Sequence, residues 1–314
     1  MNTSHRCPIS YESIQSTQKY SATGLALLSS RLSELHDLPF TSNDLRQESV
    51  QRASKMSIQG VQYKVSARLN IAANQFEIVD TGGDYILKPP SDLYPELPEN
   101  EDLTMRLASI IGINIPLHGM VYGKDGNLTY FIKRFDRISK KVKLNVEDFA
   151  QLSQHTRDTK YQSSMEKVVA IINKNCTFPQ IEKQKLLLIT LFNFLIGNED
   201  MHLKNFSLIT KNDIVTLSPA YDLLNTAIAV NQTKEEIALP LNGKKNNLTK
   251  KDLLIYFSQE KLELLPSIAE KALNLIKANL PAWETLIRNS FLSEPMQKKY
   301  LSLLQKRTKV LFSQ

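Results

Sequence analysis

The run Gly197-Asn198-Glu199-Asp200-Met201-His202-Leu203-Lys204-Asn205-Phe206 carries the densest chemistry in the chain. Asp200 and Asn205 are separated by four residues. At that spacing a phosphoryl-transfer loop holds a carboxylate that accepts the attacking hydroxyl's proton and an amide that binds a metal. An amide oxygen suits Mg²⁺, a hard ion that takes oxygen ligands. Asp222, seventeen residues after Asn205 in Ser218-Pro219-Ala220-Tyr221-Asp222-Leu223, is a candidate second metal carboxylate if the intervening chain folds back as a hairpin. The plainer reading is a polar turn whose Asp, His and Asn bond locally. D-x-x-x-x-N alone is weak, and the hairpin with its second aspartate strengthens it. His202 has no second histidine at a ligand spacing, which favours a place behind the metal or facing phosphate over ligation. Lys204 fits either a neutraliser of the transferring phosphoryl group or a solvated surface lysine.

If that loop holds metal and nucleophile, the first part of the chain should hold ATP. Lys88 ends the strand pattern Tyr85-Ile86-Leu87-Lys88. A strand lysine is held rigidly enough to pair with the α- and β-phosphates, with Glu101, or less favourably Asp102, orienting it from the next helix. Its plainer reading is an edge-strand charge that blocks aggregation. The turn from Ser57 to Lys64 is the candidate phosphate loop, because Gly60 lets the backbone approach an anion. Gln62 and Lys64 follow on one strand face. The turn is neither G-x-G-x-x-G nor a Walker loop. Lys133-Arg134-Phe135 lies near the expected join of the two halves, where backbone groups could bind an adenine edge; otherwise it is a charged strand end.

These residues need elements to position them. Val61, Tyr63 and Val65 alternate with Gln62, Lys64 and Ser66, the period of a half-buried strand running to Leu69. Further strands are predicted over 75–79, 85–88, 118–122 and 128–135. Pro89-Pro90 stops the third, and a Lys124-Asp125-Gly126-Asn127 turn joins the last two. A helix should open near Asn100 as its cap, bury Leu103, Leu107, Ile110 and Ile111, and close at Gly112. Leu25, Leu27 and Leu28, with Leu32 and Leu35, suggest a short amphipathic helix. Beyond residue 135 the chain reads as helical: 183–196, a hairpin over 206–209 and 214–217, then 251–256, 267–279, 282–290 and 294–312. Pro281 and Pro295 fall near helix starts. The fold class is therefore α+β, with a β-rich half over 1–135 and a helical half over 136–314.

The 314 residues, 42% hydrophobic and 23% charged, have ordinary globular composition. The net charge of +7 fits a basic surface or an acidic partner, but the cations are scattered, which argues against direct sequence-specific nucleic-acid reading. No apolar run is long enough for a bilayer, and the first residues lack the apolar stretch of a secretory signal, so a cytoplasmic protein is expected, with no membrane partner. Cys7 and Cys176 have no partners at metal spacing, and a disulfide framework is not expected.

Taken together, Ser-Ile-Gln-Gly-Val-Gln-Tyr-Lys at 57–64, Tyr-Ile-Leu-Lys-Pro-Pro at 85–90, Asn-Glu at 100–101, Arg-Phe-Asp-Arg at 134–137, Gly-Asn-x-Asp-x-His-x-Lys-Asn-Phe at 197–206 and Pro-Ala-Tyr-Asp-Leu at 219–223 resemble, in order, blocks of the HipA-type serine/threonine kinase toxins. The resemblance covers residues 50–230 well and the helical C-terminus loosely. It implies a two-lobed protein-kinase-like fold using ATP and Mg²⁺. It implies Asp200 as the catalytic residue and Asn205 and Asp222 as metal ligands. It implies nucleotide contacts from Gln59, Gly60, Val61, Gln62, Tyr63, Lys64, Lys88, Lys133, Arg134, Phe135, His202, Leu203, Lys204, Asn205, Tyr221 and Asp222, and autophosphorylation at Ser57. Members phosphorylate aminoacyl-tRNA synthetases, stall translation and slow growth. They are held by an antitoxin, commonly a helix-turn-helix DNA-binding protein. The chain resembles the compact HipT members, in which a separate small protein replaces the N-terminal subdomain and can act as antitoxin. Gln59 stands where some compact members have a second serine, and Lys133 where a carboxylate is usual, so only a backbone contact carries over there.

Two other classes use the same pattern. A pseudokinase or binding module would keep the fold without phosphoryl transfer, although Lys88, Asp200, Asn205 and Asp222 are all present together. A small-molecule kinase would use the same machinery on a sugar or lipid.

Overall fold

The computed structural model describes residues 5–53, 62–139, 142–156, 158–230 and 235–313. The chain folds as two compact units, Met1–Asp102 with Pro116–Lys141, and Leu103–Ile115 with Val142–Gln314.

In the first unit, β1 (Val65–Asn70), β2 (Gln75–Ile78), β3 (Tyr85–Lys88), β4 (His118–Tyr122) and β5 (Leu128–Lys133) form an antiparallel sheet in the order β2-β1-β3-β5-β4. β3 is central, flanked by β1 and β5. Its register sets Lys88 opposite Tyr130 and Tyr85 opposite Lys133. Phe76, Tyr85 and Phe131 meet at ring-centroid distances of 5.1 to 6.0 Å, edge or tilted geometries that the ring quadrupoles favour. The N-terminal leucines Leu25, Leu28, Leu32, Leu35, Leu38 and Leu45 complete this core. Of them, Leu25 and Leu28 lie on α1 (Ala22–Leu28), while Leu32 and Leu35 are buried beyond its end and Leu27 is exposed.

A helix absent from the sequence reading, α2 (Ser42–Ala53), starts where the Thr41 hydroxyl accepts the Asp44 N–H (3.2 Å) and the Asp44 carboxylate accepts the Thr41 N–H (2.8 Å), a reciprocal cap. The expected strand at 61–69 begins at Val65, and its first residue lies outside the described set.

The helix α3 runs Leu97–Ile110. It starts three residues before the expected Asn100 cap. Pro98 pre-sets the helical φ of the first turn, and the Glu96 carbonyl accepts the Asn100 N–H at 2.9 Å. Asn100, Glu101 and Asp102 are therefore buried inside the helix, at 0–1% exposure, instead of solvated at its positive end. Ile110, expected in the buried stripe, is exposed.

In the second unit, β6 (Asn145–Asp148), β7 (Ser207–Lys211) and β8 (Ile214–Leu217) form a three-stranded antiparallel sheet in that order. Asn212 and Asp213, both at positive φ (50° and 60°), turn β7 into β8, as a two-residue hairpin loop requires. Helices follow or precede it: α4 (Phe149–Leu152), α5 (Met165–Asn175), α6 (Pro179–Ile196) and α7 (Thr226–Ala229). A π-helical stretch, Asp252–Lys261, occupies the predicted 251–256 segment, and α8 (Pro266–Arg288) and α9 (Glu294–Phe312) end the chain. α6 buries most of its length and packs Phe192 edge-on to Trp283 of α8 at 5.5 Å. The Trp283 indole N–H donates to the Leu107 carbonyl at 3.0 Å.

Pro281 does not start a helix; α8 passes through it. Ile276, Trp283 and Ile287, buried on one stripe on both sides of the proline, hold the helix through a residue that removes one of its hydrogen bonds. Among the described residues no helix is long and apolar enough to cross a membrane.

Candidate functional site

Lys88 is buried in the sheet, its side chain 4% exposed, and its Nζ lies 2.6 Å from Glu101 Oε1 on α3, itself 1% exposed. Gln62 Nε2 donates to the other Glu101 oxygen at 3.3 Å, and the ammonium stands 5.6 Å from the Tyr130 ring centroid. Position in the central strand and burial exclude an edge-strand charge. An ion pair so deeply buried is weak evidence for stability, because desolvation offsets the Coulomb gain. It matches instead the strand-lysine and helix-glutamate pair that protein kinases require. The neighbouring Asp102 takes a different partner, His118 Nδ1 at 2.9 Å. Glu99, one turn earlier in α3, has its carboxyl pushed up to about 7 by burial, reinforced by Glu96 and Asp102.

The other nucleotide candidates of this unit are more scattered. Lys64 is fixed through its backbone, whose N–H donates to Ser49 Oγ at 3.0 Å and whose carbonyl accepts from the same hydroxyl at 3.1 Å. Tyr63 is half-buried. The N–H groups of Lys133 and Arg134 donate to the Leu117 and Asp84 carbonyls, each at 2.8 Å. The Arg134 guanidinium forks onto Asp136 at 3.0 and 2.9 Å. Phe135 is half-buried and Lys133 exposed. Ser57, Gln59, Gly60 and Val61 lie outside the described residues.

In the helical unit the catalytic-type loop grows out of the end of α6. Gly197 caps that helix at φ 72°, and a Cβ there would fall 2.4 Å from a Leu303 methyl and 3.1 Å from the Ala227 methyl. Both the left-handed backbone and the close approach demand glycine. Asn198, buried, donates to Asn193 Oδ1 at 2.9 Å and accepts the Asp200 N–H at 3.1 Å, tying the loop to α6. The Glu199 N–H is held by Thr226 Oγ1 at 2.7 Å. Arg307 of α9 lies 2.7 Å from Glu236 and 3.9 Å from Glu199.

With its backbone fixed, Asp200 presents a carboxylate that is 51% exposed. The Tyr161 hydroxyl donates to its Oδ1, and His202 Nε2 stands 3.9 Å from the same oxygen. His202 is buried, its ring edge-on to Tyr161 at 5.0 Å and its Nδ1 without a partner among the described residues. Burial lowers its pKa against the pull of Asp200 and Asp222. That keeps a neutral ring behind the carboxylate. Leu203 is buried, and its N–H reaches the Lys160 carbonyl at 3.4 Å; Lys204 is half-buried.

Asn205, on the short 3₁₀ turn Leu203–Asn205, donates Nδ2 to the Asp200 carbonyl at 2.8 Å, which leaves the amide oxygen as its acceptor end. The β7–β8 hairpin brings the chain back. The Tyr221 hydroxyl donates to the Lys204 carbonyl at 2.9 Å and bonds Ser207 Oγ at 2.6 Å. Asp222 follows in a left-handed conformation, φ 54°, which aspartate tolerates better than most residues. Its charge reaches His202. The donor set fits Mg²⁺, an amide oxygen and a carboxylate being hard ligands. Among the described residues no cluster of three or more His, Cys, Asp or Glu could hold a metal. A cation here needs phosphate and water oxygens besides, as Mg²⁺ in nucleotide sites does.

The HipA-like C-terminal domain family matches residues 56–283. The chain belongs to that family. A candidate kinase of Haemophilus influenzae is 30% identical over 220 residues, covering 66% of this chain and 64% of that protein. The serine/threonine-protein kinase toxin HipA of Shewanella oneidensis is 28% identical over 192 residues, 54% of this chain and 43% of that one. The HipA-like chain thus spans less than two thirds of either relative. Among solved structures, HipA in the Shewanella oneidensis HipA–HipB–operator DNA complex superposes with a TM-score of 0.69 at 23% identity, covering 88% of this chain and 72% of that one. The Helicobacter pylori proinflammatory kinase CtkA gives 0.53 at 16% identity, covering 75% and 88%. These likenesses bear out the two-lobed, kinase-like α+β class expected from the sequence.

Sequence reasoning missed Tyr161. It lies in the loop between α4 and α5, and no fixed spacing to Asp200 could have announced it. Arg307 was hidden likewise as one basic residue of an amphipathic helix.

Proposed function

We propose that this HipA-like protein is an ATP- and Mg²⁺-dependent serine/threonine protein kinase, the toxin of a toxin–antitoxin pair, acting in the cytoplasm. The observation that carries the reading is the half-exposed Asp200 carboxylate accepting a hydroxyl's hydrogen bond in a loop closed by Asn205. A substrate serine presented the same way would be oriented and relieved of its proton. Mg-ATP, when bound, supplies the γ-phosphoryl group and neutralises its developing charge. Asn205 and Asp222 would hold the metal. Lys88, fixed by Glu101, would pair with the α- and β-phosphates. Gln59 to Lys64, the backbone of Lys133 to Phe135, His202 to Lys204 and Tyr221 would line the rest of the nucleotide site.

The substrate we propose is a serine of an aminoacyl-tRNA synthetase, whose modification would halt translation and growth. The solved complex of the Shewanella protein with HipB and operator DNA supports a DNA-binding antitoxin as partner, and a small protein of the kind that accompanies compact HipT members is the other candidate. Direct sequence-specific DNA reading by this chain is not part of the reading. Ser57 is the proposed autophosphorylation site. Phosphoproteomes of cells expressing the wild type or Asp200→Ala test all of this together. The expected result is a synthetase phosphoserine, and a Ser57 phosphopeptide, seen only with the wild type. Identical phosphoproteomes from the two would sink the kinase reading.

A further inference from the structure

A carboxylate built to deprotonate an alcohol will also deprotonate water. Asp200 is half open to solvent, so a site of this kind must suppress wasteful ATP hydrolysis when no protein acceptor is present. The structure supplies a candidate means. Tyr161 reaches over from its loop and places its hydroxyl on Asp200 Oδ1, the place an acceptor hydroxyl would take. Its ring is held by three contacts: the edge-on His202 ring at 5.0 Å, Lys160 Nζ at 5.0 Å and Lys245 Nζ at 5.9 Å. Lys245 is itself tethered to Glu235 at 3.2 Å, and the Lys160 carbonyl accepts the Leu203 N–H, joining the tyrosine's loop to the catalytic-type loop. Cations over an aromatic face stabilise the ring's position.

We propose that Tyr161 is a specificity-determining residue, a resident stand-in for the acceptor that keeps water off Asp200 until a protein hydroxyl displaces it. The inference rests on the proposed role of Asp200. In the reaction it suppresses, a water oxygen bonds to the γ-phosphorus and the bridging bond to the β-phosphate oxygen breaks. The water proton passes to Asp200 and then to solvent, and ADP and phosphate leave. With a protein acceptor the same bonds change, the serine oxygen replacing that of water.

Tyr161→Phe tests this without knowledge of the substrate, because it keeps the ring and removes only the hydroxyl. Phosphate release from Mg-ATP by the full chain, without protein acceptor, is compared among wild type, Tyr161→Phe and Tyr161→Phe/Asp200→Asn. A hydrogen bond to a charged group is worth enough that its loss should raise hydrolysis about tenfold. The rise should vanish in the double variant. A merely structural role for Tyr161 would leave hydrolysis unchanged or lower it, and either result overturns the proposal. The kinase reading fails separately: it is sunk if Asp200→Asn, added as a fourth protein, transfers labelled phosphate to protein as fast as the wild type.

Discussion

The two units carry two kinds of charge. In the β-rich unit Lys88 and Glu101 are 4% and 1% exposed and 2.6 Å apart, with Gln62 and the Tyr130 ring around them. In the helical unit Asp200 is 51% exposed, and its partner is a neutral tyrosine hydroxyl. In the proposed kinase reading, the first arrangement would fix a charge that must stay put while a nucleotide is gripped. The second would keep a charge available, because a base that is to receive a proton from a substrate must be reachable. Desolvation accordingly falls on the gripping pair, whereas the loop around Asp200 obtains its rigidity from backbone bonds through Asn198, Thr226 and Asn205.

Substitution should separate the two. Asp200→Asn is expected to lower phosphoryl transfer by about 10²–10⁴ with hardly any change in melting temperature, since the carboxylate makes no buried pair. Lys88→Met should do the opposite in kind. Leaving Glu101 charged and buried costs about 3–5 kcal/mol of stability, read by urea unfolding, besides weakening ATP binding. Lys88→Met/Glu101→Leu should regain much of that stability, since an apolar pair of similar size packs without desolvated charge, while ATP binding stays weak. If Lys88→Met alone were as stable as the wild type, the contrast between the units would collapse. Asp222→Ala is expected to weaken Mg-ATP binding and leave stability alone; unchanged affinity by calorimetry would remove it from the metal site.

The sequence showed the strands around Lys88 almost residue for residue, because alternation and flanking prolines act locally. β3 and β4 begin and end where expected. The β7–β8 hairpin was legible for the same reason. What failed was decided by tertiary burial. Asn100, Glu101 and Asp102 look like a solvated helix start, yet they are buried in α3 because Lys88 and His118 partner two of them. Pro281 looks like a helix start, yet the buried stripe of α8 carries the helix through it. At the site, Asp200 and Asn205 stood out only through their spacing together with the hairpin that returns Asp222. Tyr161 did not, since only the folded loop brings it to Asp200.

The smallest predicted effect sharpens the comparison by pH. Glu99 lies in the first turn of α3, where the helix dipole favours a negative charge, but burial prevails and raises its pKa from 4.5 to about 7. Between those values the folded protein keeps a proton that the unfolded chain gives up. Stability from this group is therefore complete below pH 4.5, falls as pH rises through the window and levels off above 7. Glu99→Gln removes that slope. Relative to the wild type it should gain stability progressively from pH 4.5 to 7, reaching about 1–3 kcal/mol, measured by urea unfolding at fixed pH. A parallel pair of stability profiles for Glu99→Gln and wild type would mean that burial does not hold the Glu99 proton in the folded chain, and the contrast between the buried acids of α3 and the open Asp200 would lose one of its supports.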